Sequence, residues 1–274
     1  MQCIRLRLSG YIDKGLVPCV PAPLPSAKSR ITSNPESVSM SDTTKDFARG
    51  YFPLFIQRFV TGVFQENTWF LRDEATGRTA LVDPGDRADE MLLDSGFFGA
   101  DEELDEVLLT HAHMDHVWGL SAVKKRWPNA RIRMHRDDLE LLRALPKQGA
   151  MIGLPMQLPP APEPDEFVEE GDTFSFGERK VSVLLTPGHT EGHVCYHFDT
   201  GDLMVGDMII AGAVGRTDLP GGDPSKMGAS LRRLCALDEE TWIYGGHGPQ
   251  SRLGDELKTN AMLPHLDEIF PIAG

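Results

Sequence analysis

The 274-residue sequence has only four cysteines, Cys3, Cys19, Cys195 and Cys235, and no two are spaced as Cys-x-x-Cys. That argues against a thiolate zinc knuckle and a disulfide framework, and it suits a reducing compartment such as the cytoplasm. No run of 18 or more apolar residues occurs, so neither a membrane-spanning helix nor a membrane partner is expected. Basic residues are scarce: 27 Lys and Arg stand against 41 Asp and Glu, a formal net charge of −14. Such a chain repels phosphate backbones, so no nucleic-acid partner is expected. An internal repeat of short fixed period is also missing. What is present is ordinary for a globular protein, with 41% hydrophobic and 25% charged residues, enough for one sizeable core.

The charge is unevenly placed. Residues 1–40 carry five basic residues and two acids, a balance of +3, which leaves −17 for the rest. Residues 1–46 hold a proline cluster (Pro18, Pro21, Pro23, Pro25) and no sustained periodicity, and Arg5 and Arg7 interrupt their only apolar stretch. They read as a disordered leader, or as an upstream extension ahead of a true start at Met40, with an Arg/Ser-rich targeting peptide as the alternative. Residues 47–274 then form one domain.

From Phe52 onward, short apolar runs alternate with helical spacing. Strands are expected at 55–60, 67–72, 79–82, 106–110, 130–135, 174–176, 181–186, 194–198, 203–205 and 242–244. Helices are expected at 88–95, 117–127, 136–145, 225–237 and 254–263. Residues 146–165, rich in Pro, Gly and Met, read as a long loop or lid. Strands followed by helices, twice over, predict an α/β (α+β) fold: a four-layer αββα sandwich of two mixed β-sheets flanked by helices.

The strongest chemical signal is His111-Ala112-His113-Met114-Asp115-His116, directly after a buried strand. In an extended segment His111 and His113 leave the same side and can approach one metal, while Asp115 and His116 open the next helix and can turn toward a second. Nitrogen and carboxylate oxygen donors suit zinc, iron or manganese. A polar helix cap would explain Asp115 but needs no histidines. Three further residues repeat one arrangement, each after a strand and beside glycine: His189 in Pro-Gly-His-Thr, Asp207 in Gly-Asp, and His247 in Gly-Gly-His-Gly. Alone, each reads as a polar turn residue. With the first motif they complete a candidate site.

These motifs, with Leu81-Val82-Asp83-Pro84-Gly85, resemble those of the metallo-β-lactamase fold superfamily. Gly215-Arg216-Thr217-Asp218-Leu219-Pro220-Gly221-Gly222-Asp223 and the ending from Gly246-His247-Gly248-Pro249 to Asn260 resemble its short, single-domain type II glyoxalase-like branch. The resemblance implies one metal on His111, His113 and His189, a second on Asp115, His116 and His247, and Asp207 bridging both. Two divalent ions are implied, zinc foremost and iron or manganese as alternatives. The implied reaction is hydrolysis of an acyl thioester or ester by a metal-held hydroxide, with Asp115 and Asp207 as the catalytic carboxylates and S-lactoylglutathione as a candidate substrate. A related branch implies an alternative, a persulfide dioxygenase with one iron on the positions of His111, His189 and Asp207. Lactone or other ester hydrolysis is the remaining enzymatic reading, and a non-enzymatic metal-binding scaffold the last. Asp115-His116 departs from the Asp-Arg of many β-lactamases, and only 27 residues follow His247, so neither antibiotic hydrolysis nor a C-terminal glutathione-binding domain is expected.

Supporting roles are expected for two residues. Asp83 is either an orienter of a ligand histidine or a turn former, and His193 a residue behind the ligands. His135 and His197 read as structural and His265 as a surface residue. Arg216 reads as an ion-pair partner of Asp218 or a contact for an acidic substrate. The apolar stretch 151–156 either walls the pocket or packs beneath the loop.

Overall fold

The structure is a computed structural model and describes residues 54–271; the expectations for residues 1–46 lie outside the described residues. The first sheet runs β1 (Leu54–Thr61), β2 (Glu66–Asp73), β3 (Thr79–Val82), β4 (Glu106–Leu108), β5 (Arg131–His135) and β6 (Glu166–Val168), in that spatial order. Its first three strands are antiparallel and the last four parallel. Parallel neighbours need crossovers. These carry α1 (Ala88–Asp94), α2 (Met114–Val117), α3 (Leu120–Arg126), α4 (Leu139–Arg143) and α5 (Leu145–Met151). The second sheet has the order β14 (Ser251–Arg252), β13 (Trp242–Gly245), β10 (Asp202–Gly206), β9 (Val194–Phe198), β8 (Arg179–Leu185) and β7 (Thr173–Phe176). A small hairpin, β11 (Ile209–Ile210) and β12 (Ala213–Val214), leads to α6 (Pro224–Cys235); α7 (Leu253–Thr259) and α8 (Leu266–Ile269) close the chain.

Period-two alternation along the strands explains the layering. On β2, Trp69 and Leu71 face the gap between the sheets, where they meet Phe176, Val183, Tyr196 and Phe198. Phe70 between them packs outward with Leu92, Leu120, Val123 and Trp127. On β10, Met204 faces the gap while Leu203 and Val205 pack against Met227, Leu231 and Leu234 of α6. Three apolar layers thus separate four structural ones, the αββα sandwich expected.

Local differences from the expectation have physical causes. The helix expected over 117–127 is split at Trp118-Gly119, because Gly119 donates its N–H to Pro84 O (2.9 Å) instead of continuing the helix. The start of the supposed loop at 146–165 is helical: Pro146 sits in the first turn of α5, where proline costs no hydrogen bond. The three-residue β6 goes unheralded because its pattern is too short for a periodic signal.

Candidate metal centre

Four chain segments reach one edge of the sandwich just past a strand: β4 into His111, β8 into His189, β10 into Asp207 and β13 into His247. Backbone hydrogen bonds pin the sheets together there, from Val194 N to Thr110 O (2.8 Å) and from Asn67 N to Gly246 O (2.7 Å). Asn67 Nδ2 also donates to Gly245 O and Gly248 O, holding both sides of the His247 loop. Close approach demands glycine. A Cβ on Gly246 would lie 2.3 Å from Asp207 Oδ1 and 2.4 Å from His116 Cε1.

All seven residues expected at the site converge. His111, His113 and His189 form one group of donors within 4.8 Å of one another, and Asp115, His116 and His247 a second. Asp207 lies between them: its Oδ2 is 3.4 Å from His189 Nε2 and 3.7 Å from His247 Nε2, and its Oδ1 is 3.5 Å from His116 Nε2. Asp115 Oδ2 is 3.4 Å from His247 Nε2. Donors about 2.1 Å from a tetrahedral metal stand roughly 3.4 Å apart, so these spacings fit ligands around cations. The side of the cluster at His113 is tighter, with Nδ1 2.8 Å from His189 Nε2.

The partners behind the rings fix which nitrogen faces inward. His189 Nδ1 donates to Arg216 O (2.7 Å), leaving Nε2 with its lone pair toward Asp207. Thr110 Oγ1 donates to Asp83 Oδ2 (2.6 Å) and so accepts from His111 Nδ1 (3.0 Å), which leaves His111 Nε2 bare. Asp83 Oδ2 also accepts from His116 Nδ1 (3.1 Å). Buried atoms without a hydrogen-bond partner include three of the cluster: Nε2 of His111 and of His116, and Oδ1 of Asp207. Buried polar atoms are seldom left unpaired, and a shared metal pair is the partner that fits this donor set.

Electrostatics sort the histidines into two kinds. Burial, with neighbouring imidazoles, pushes His111 well below its ordinary value and His113 down to about 3, so both are neutral donors. Burial also opposes the charged form of His116, but Asp207, Asp115 and Asp83 outweigh it and raise the imidazole well above its usual value. Burial likewise works against His247, which Asp115 and Asp207 raise. For Asp115 burial pushes up, and His116 and His247 more than reverse it, holding the carboxyl below its ordinary range. The carboxylates around the second group thus favour the protonated form of His116 and His247.

The remaining expectations fall into place as follows. Asp83 sits in its turn at positive φ (51°), and its carboxylate accepts from His116 Nδ1. His193 lies behind the cluster, its ring stacked on His111 with centroids 5.1 Å apart and its Nδ1 on Thr186 Oγ1 (2.9 Å). His135 is buried and accepts from Asp137 N, His197 is half-buried, and His265 is exposed. Arg216 pairs with Asp218 through two bonds of 2.6 and 2.7 Å.

Two acids escaped the sequence reading. Asp138 accepts from Ala112 N, Thr190 Oγ1 and Gly192 N, so it ties the His111–His113 and His189 segments to one carboxylate. Its signal was the recurring one, an acid just past a strand end, masked by its place at a helix start. Glu66 is fully buried, takes hydrogen bonds from Thr61 and Thr68, and lies 4.0 Å from His116 Nδ1. Burial pushes its carboxyl well up, which favours the neutral acid.

Comparison with known proteins agrees with this geometry. The family model for the metallo-beta-lactamase superfamily matches residues 61–247. The chain belongs to that superfamily. It is 31% identical over 203 residues to hydroxyacylglutathione hydrolase GloC of Haemophilus influenzae, covering 73% of this chain and 93% of that one. It is 35% identical over 182 residues to the hydroxyacylglutathione hydrolase of Aeromonas salmonicida, covering 65% of this chain but only 59% of that enzyme. Among solved structures, TTHA1623 in a di-iron-bound form superposes with a TM-score of 0.66 at 35% identity, over 75% of this chain and 98% of that one. Among the described residues no helix is long and apolar enough to cross a membrane.

Proposed function

We propose that this member of the superfamily is a two-metal hydrolase of acyl thioesters. The observation that carries the reading is two groups of metal donors with Asp207 3.4 to 3.7 Å from histidines of both, beside a pocket of about 620 Å³. His111, His113 and His189 would hold one metal and Asp115, His116 and His247 the other, with Asp207 on both; zinc is the first assignment, and iron or manganese the alternatives. A metal pair supplies a Lewis acid for the carbonyl oxygen and lowers the pKa of water to about 7, so no strong base is needed from the chain.

The chain's own groups position the reactants. Asp115, kept ionised, accepts a hydrogen bond from the attacking water and aims it at the acyl carbon. His189 and His116 are held from behind by Arg216 O and Asp83, so neither ring must reorient during reaction. A bond forms from the water oxygen to the carbonyl carbon, the carbon–sulfur bond breaks, and a carboxylic acid and a thiol leave. A thiol has a pKa near 8.5, so its thiolate departs without a dedicated acid. The two relatives named hydroxyacylglutathione hydrolase support the thioester class.

The test joins metal analysis of gently purified protein to turnover of an acyl-thioester panel that includes S-lactoylglutathione. About two metals per chain with thioester cleavage is the expected result. One iron per chain with oxygen uptake on glutathione persulfide would replace the proposal with a dioxygenase. Asp207→Asn should lose most of both metal and activity, and retention of both would remove the bridging assignment.

A further inference from the structure

Apart from the cluster's own donors, the polar lining of the pocket is Gln148 and Arg216. Its apolar lining is Phe64, from the β1–β2 turn, Met151, Ile152 and Leu154 at and just past the end of α5, and Met114, Leu219 and Pro220. Met151 and Ile152 remain 59% and 42% exposed, whereas Met156 nearby packs into the core. Large apolar side chains left in water in the lining of a concave site mark a surface for a ligand. Among the described lining residues, Arg216 is the only Lys or Arg, and its charge already faces both oxygens of Asp218. A glutathione conjugate presents two carboxylates and an ammonium. It would meet one occupied guanidinium on a chain of net charge −14.

We propose that this apolar lining sets specificity: the pocket takes neutral acyl thioesters and esters with an apolar acyl chain, seated against Phe64, Met151, Ile152 and Leu154, in preference to glutathione conjugates. The inference rests on the hydrolytic reading of the metal centre, and it deepens that reading by naming the substrate class. Each methylene fully removed from water contributes about a fourfold gain, so a partly enclosing lining gives about two- to fourfold per methylene until it is covered.

The test uses metal-loaded full-length protein and N-acetylcysteamine thioesters with acetyl, butanoyl, hexanoyl and octanoyl groups, beside S-lactoylglutathione. Binding of the matching non-cleavable S-alkyl N-acetylcysteamines and of S-methylglutathione is measured in parallel by calorimetry. We expect kcat/KM and affinity to climb together with chain length and to exceed those of the glutathione compounds. In Met151→Ser/Ile152→Ser, with both changes at exposed positions, the octanoyl-to-acetyl ratio should fall at least about tenfold in both readouts. A flat chain-length series, or a preference for the glutathione compounds in binding, overturns the inference. Affinity rising with chain length while no thioester or ester is cleaved sustains the apolar lining and removes the hydrolase reading instead.

Discussion

Asp83 meets three demands with one carboxylate. Its Oδ1 accepts from Thr110 N (2.7 Å), and its Oδ2 accepts from both Thr110 Oγ1 and His116 Nδ1. It therefore sets the tautomer of His116 directly and that of His111 through Thr110. Asp83→Asn removes the charge that favours His116 as a donor at Nδ1 but keeps the shape. We expect metal affinity at the Asp115, His116 and His247 group to fall about 10- to 100-fold, with a smaller loss at the other group. Metal titration of the apoprotein against a competing chelator measures this, and unchanged affinity at both groups would show that Asp83 only shapes its turn. At this scale the candidate ligands were readable because His111, His113, Asp115 and His116 crowd into six residues. Asp138 and Glu66 were not. Their meaning lies in what touches them, and in sequence an acid at the start of a helix or of a strand looks like any other.

Elements place the ligands through a recurring device, a strand that ends beside a glycine. Gly188 has φ 138°, and a Cβ there would lie 2.3 Å from the backbone N and Cα of Met227 in α6. Gly188 O also accepts from Asp223 N (2.8 Å) at the start of that helix, so the His189 loop and α6 are seated as one unit. Gly188→Ala should cost about 3 kcal/mol in chemical denaturation, because backbone cannot yield as a flexible side chain does. It should also lower metal affinity by displacing His189. Stability within about 0.5 kcal/mol of the parent would show that α6 slides to make room. Strand ends were legible from apolar runs closing on Gly, Pro or Asp, as at Thr79–Val82 before Asp83-Pro84-Gly85. The break at Gly119 was not, since it depends on a carbonyl supplied by Pro84, 35 positions earlier.

Across the whole molecule, the donors sit where the two sheets meet, so metal binding and the docking of the sheets are linked. The carboxylates of the cluster favour the protonated form of His116 and His247, and bound cations would take that place. A ligand that binds only the folded chain adds about 4 kcal/mol at a thousandfold excess over its Kd. For a domain of this size that amounts to about 10 °C in Tm. Chelation should therefore lower the melting temperature by about that amount and zinc addition restore it, as followed by circular dichroism. An unchanged Tm would mean that the cluster is rigid without cations and that metal serves chemistry alone.

Sequence alone determined the layered architecture and named the seven candidate donors, because both depend on local order: apolar alternation along each strand, and histidines and aspartates at strand ends. Tertiary structure alone decided how close those donors come to one another, that Asp138 and Glu66 stand behind them, and that Phe64, Leu219 and Pro220 join residues 151–154 at the pocket. Those are relations between segments as far apart as Asn67 and Gly245, and the distance between such segments is set by how two sheets pack, which no local pattern encodes.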